Sequence, residues 1–130
     1  MKNFMFVAAV LFSGSALASD AAMEIYKVLN VKETPVPAER TKLVYQKTLS
    51  GLVCTHTNHI VNGDSYACKF TLAQFNAEEI YKAMDVQPVP ISGIATRQFL
   101  AKSAGGLQCV ESTPLASVNE KITYFCTVEI

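Results

Sequence analysis

Tryptophan is absent from this chain of 130 residues, and histidine occurs only twice, at His56 and His59. No Cys-x-x-Cys pair is present, so the usual zinc-ribbon and thioredoxin-like signatures are missing. No G-x-S-x-G context surrounds a serine. Charge of one sign is lacking too: 11 Lys and Arg balance 11 Asp and Glu. A nucleic-acid binder or a polybasic membrane-surface protein needs a concentrated positive field, and this composition does not supply one.

The longest apolar stretch, Phe4 to Phe12, is well short of the ~20 residues that span a bilayer. With Lys2 before it and Ala16-Leu17-Ala18 after it, residues 1–18 read as a cleaved signal peptide of bacterial type. Residues 19–130 are then expected to form one periplasmic or secreted domain, with no transmembrane segment. An even number of cysteines in a small exported chain points to disulfides rather than to metal or thiol chemistry. The four are Cys54, Cys68, Cys109 and Cys126.

What the chain does contain is a repetition. Glu24-Ile25-Tyr26-Lys27 returns as Glu79-Ile80-Tyr81-Lys82, and the ungapped 33-residue stretch from Ala22 to Cys54 shares 12 identities with Ala77 to Cys109. Chance gives about two, so the chain reads as two copies, 21–72 and 76–130. Each copy owns two cysteines. All three connectivities respect the repeat; local pairing, Cys54 to Cys68 and Cys109 to Cys126, is expected because each pair sits on neighbouring strand-like segments.

Ala22, Ile25, Tyr26 and Leu29, like Ala77, Ile80, Tyr81 and Met84, lie at i, i+3, i+4 and i+7 and predict one buried helical face per copy. Glu24, Lys27, Glu79 and Lys82 then fall on the watered side. Asn76 is placed to cap the second helix. Pro35, Pro37, Pro88 and Pro90 read as extended connectors. Residues 41–49 and 96–104 predict strands, with short helices as the alternative. Ser50-Gly51 and Gly105-Gly106 read as tight turns, and Asn62-Gly63-Asp64 as another. If Cys54 faces Cys68, Asn58 faces Asp64 and residues 59–63 form the loop. The fold class is therefore α+β: two helix-strand-strand-strand units in one two-layer domain, with two helices over an antiparallel sheet of about six strands.

Candidates for chemistry are few. His56 and His59 have an H-x-x-H spacing, but on a strand i and i+3 face opposite ways, so neither a metal nor a cofactor is expected. Glu78 and Glu79 are adjacent on a helix and diverge, which gives no acid and base pair. Lys47 and Lys102 read as lysines that discourage edge pairing. The copies differ mainly in their hairpin loops. His56, His59, Asn62 and Asp64 in one, and Glu111, Pro114 and Leu115 in the other, are the candidate binding residues, together with the uncovered sheet face. The expected function is a non-enzymatic exported binding protein, such as an inhibitor of an extracytoplasmic protein or hydrolase, with a protein partner. The alternatives are an accessory cell-envelope protein and, further off, an enzyme using His56 or His59.

Overall fold

The computed structural model describes residues 4–6, 15–94, 96–115 and 121–129. In chain order the elements are β1 (Phe4–Phe6), β2 (Ser15–Ala18), α1 (Ser19–Val28), β3 (Thr34–Val36), β4 (Lys42–Leu49), β5 (Leu52–His59) and β6 (Gly63–Phe70). A short 3-10 turn (Leu72–Gln74) leads to α2 (Ala77–Ala83), then β7 (Val89–Ile94), β8 (Arg97–Ala104), β9 (Leu107–Pro114) and β10 (Thr123–Glu129).

The protein is α+β, with two antiparallel five-stranded sheets ordered β2-β6-β5-β4-β3 and β1-β10-β9-β8-β7. This corrects the expectation of a single sheet of about six strands. Two causes are visible. The proline connectors are themselves edge strands, with Pro35 opposite Tyr45 and Pro90 opposite Leu100, where a missing N–H costs no sheet hydrogen bond. The halves also join at their helix ends rather than strand to strand. Leu29 bridges Met84, Asn30 N–H donates to the Ala83 carbonyl at 2.7 Å, and Asp85 N–H donates to the Val28 carbonyl at 2.7 Å.

Residues 41–49 and 96–104 are strands rather than helices, starting at Lys42 and Arg97. The disulfides are local, Cys54–Cys68 and Cys109–Cys126. Asn58 lies opposite Asp64, so the cysteine pairing did fix the hairpin register, but His59 and Gly63 are paired strand residues and the loop is 60–62 rather than the expected 59–63. The expected helical faces are buried: Ala22, Ile25, Tyr26 and Leu29 in α1 and just beyond it, with Ile80, Tyr81 and Met84 in the other half. They join Leu52, Phe70, Leu107, Val128 and the four half-cystines in one continuous core. Asn76 caps α2 by accepting from Glu79 N–H at 3.1 Å.

Glu24 and Glu79 are exposed, where the periodicity puts them, and from there also hold turns of the opposite half: Glu24 accepts from Gly105 N–H at 2.8 Å, and Glu79 accepts from the Ser50 hydroxyl. The expectation about the repeated lysines needs correction. Lys47 and Lys102 do not guard an edge, because each strand has a neighbour on both sides. Lys47 Nζ donates to the Tyr26 and Leu29 carbonyls at 2.7 and 3.0 Å and sits 4.6 Å from the Tyr26 ring centre. Lys102 repeats this on Tyr81, 3.0 Å from its carbonyl oxygen and 4.5 Å from its ring centre. Each lysine thus satisfies carbonyls at a helix C-terminus and places its charge at the negative end of the dipole.

Candidate functional site

In β5 the side chains of Leu52, Cys54, His56 and Asn58 share one face by strand alternation. The first two are buried and the last two half-buried. Around His56, against the Tyr26 ring of α1, lies an aromatic surface. His56 stacks on Tyr66 with ring centres 4.4 Å apart and planes 6° apart, while Tyr26 meets both rings edge-on. Tyr45 flanks His56 at 6.4 Å. Tyr26 donates from its hydroxyl to Glu33 at 2.5 Å. Burial first, and that hydrogen bond second, hold its phenol far above the ordinary range.

Asp64 anchors the outer end of this surface. Its Oδ1 lies 3.1 Å from His56 Nε2 and accepts from Asn58 Nδ2 at 2.6 Å. These contacts, His56 first, lower the carboxyl below its usual value. The arrangement is a brace across β5 and β6 rather than a catalytic pair. The neighbouring Thr55 and Thr57 project to the other face of the strand and present no hydroxyl to the imidazole. His59 lies at the strand end, opposite Gly63 and Lys42, so the two histidines do not converge. Among the described residues no cluster of three potential metal ligands occurs.

The tip beyond that brace is apolar. Ile60 is 72% exposed, Val61 is 88% exposed, and Leu43, one strand over from Asn58, is 60% exposed. Asn62 completes the turn and is exposed. The sequence singled out only polar members of this hairpin, His56, His59, Asn62 and Asp64, and not Ile60 or Val61. The available signal was two adjacent β-branched apolar residues between His59 and an Asn-Gly turn.

The second hairpin differs. Glu111 and Pro114 belong to β9 rather than to a loop, and only Leu115 of the three expected contact residues is openly exposed. Glu111 accepts from the Tyr124 hydroxyl at 2.8 Å; this bond, then burial, pushes that phenol up to about 12. The rest of the expected loop, residues 116–120, lies outside the described residues. No described helix is long and apolar enough to cross a membrane. A comparison with family models, curated proteins and solved structures finds no match for the chain.

Proposed function

We propose that the protein is a small exported binding module that presents the β5–β6 hairpin tip to an apolar cleft on a protein partner outside the cytoplasm, as an inhibitor does. In this reading residues 1–18 are removed after Ala18 and the domain acts in the periplasm or beyond. The observation that carries it is the tip itself: Ile60 and Val61 are adjacent and exposed at the end of a hairpin stapled by Cys54–Cys68, and exposed Leu43 lies on the neighbouring strand opposite Asn58. Exposed apolar side chains grouped on a preorganised turn reduce the ordering cost of binding. The aromatic brace of Tyr45, His56 and Tyr66 stiffens the hairpin behind them. An accessory envelope protein is the alternative.

The test compares the unaltered protein with Ile60→Asp/Val61→Asp, each expressed with its leader and cross-linked in the extracytoplasmic fraction. A stoichiometric soluble partner that is lost from the double variant supports the proposal. Equal capture by both proteins sinks it, and co-sedimentation of both with the envelope favours the alternative.

A further inference from the structure

Without residues 1–18 each sheet loses its N-terminal strand, and four edges remain: β3, β6, β7 and β10. Exposed edges invite pairing with other chains, and proteins block them with proline, lysine or bulges. Three of the four carry such a block. Pro35 lies in β3; β7 carries Pro90 and a register shift between Ile91 and Ile94; exposed Lys69 lies in β6. The fourth, Thr123–Glu129, has no proline, no lysine and a continuous register against β9.

The backbone groups of β10 can be assigned. Glu129 N–H donates inward to the Gly106 carbonyl at 2.7 Å. By alternation Phe125 and Thr127 also bond inward, while Tyr124, Cys126 and Val128 direct N–H and C=O to the outer edge. That edge accepts an antiparallel strand in the structure: β1 pairs along it from Thr127 to Glu129. The face that the helices leave uncovered, α1 on the first sheet and α2 on the second, also differs between the sheets. Val89, Phe99, Ala101, Val110 and Phe125 of the second sheet stand where the first has Thr34, Val44, Gln46, Thr55 and Ala67. Ala101 and Val110 are buried yet stand apart from the core beneath the helices.

We infer that the processed protein forms a two-fold dimer in which β10 pairs antiparallel with β10 of a second copy, joining the two second-half sheets into one. The inference rests on the cleavage after Ala18 proposed above. A second copy fits this edge for three reasons. Two-fold self-pairing of a strand is necessarily antiparallel, the direction in which β10 already accepts β1. Pairing centred on Cys126 matches the outward groups of Tyr124 with those of Val128 in the other copy. The same register sets Glu129, the one charged residue of the strand, opposite Thr123, so no like charges face each other.

The chain is expressed with its own leader, and the exported product is checked by intact mass and examined by sedimentation over a concentration series. A monomer–dimer equilibrium is expected. Thr127→Lys copies the block at Lys69, which holds the matching place after the disulfide cysteine of β6, and should raise the dissociation constant about tenfold or more. Hydrogen exchange on the unaltered protein needs no variant. Amides of Tyr124 and Val128 should gain protection with concentration, while those of Phe125 and Thr127 stay protected throughout. A correctly cleaved product that remains monomeric, or a dimer indifferent to both readouts, overturns the inference alone. A product that retains residues 1–18 overturns the cleavage reading as well.

Discussion

Glu24 and Glu79 are held by what they bind in the other half, and that contact imposes a steric demand on the turn. Gly105 has φ of +53°, and a Cβ built there would lie 2.0 Å from the Ala21 carbonyl oxygen. Gly63 has φ of +81° with nothing within 4 Å of its own added Cβ. Both alanine substitutions incur the left-handed penalty of about 1–2 kcal/mol. Only Gly105→Ala adds a collision with backbone, which raises the expected loss to about 3 kcal/mol or more. Denaturant midpoints of the two variants measure the difference. Equal losses would mean that the β8–β9 turn does not press on α1 as described.

At the scale of elements, β9 and β10 are tied by the Cys109–Cys126 bond and by Tyr124 to Glu111, and the second tie carries a pH signature. The Tyr124 phenol titrates at about 12 in the folded protein because it donates to Glu111 and is partly buried. The unfolded value is about 10, so folding favours the neutral phenol. Its contribution is complete below the unfolded value and is lost as pH rises through the folded one. Stability should therefore fall between about pH 10 and 12, and Tyr124→Phe should flatten part of that slope. Denaturant melts across that range check this, with tyrosinate absorbance reporting the titration. Much of this level was legible in the sequence. Helical spacing marked the buried faces of both helices, and one cysteine pair set the β5–β6 register. The edge strands were not, because Pro35 and Pro90 signal a break in local chemistry while sheet edges tolerate them. Nor was the role of Lys47: its partners, the carbonyls of Tyr26 and Leu29, lie about two strands' worth of chain away, and spacing alone does not place them.

At the scale of the whole molecule, neither half owns a complete core. Leu29 and Met84, whose backbones bridge at the helix ends, are 2% and 1% exposed, and the buried cluster runs through both halves without a break. A unit of roughly 50 residues buries only a marginal core by itself. The two disulfides close separations of 14 and 17 residues, one in each half, and a loop of that size contributes about 3 kcal/mol. Replacing Cys54 and Cys68 together by alanine should thus lower stability by about that amount without releasing the first half by itself. The shared core makes loss of one half fatal to the other. Calorimetry of the variant should show one transition with equal calorimetric and van't Hoff enthalpies. Two resolved transitions would mean that the halves fold independently and that the bridge between Leu29 and Met84 couples little.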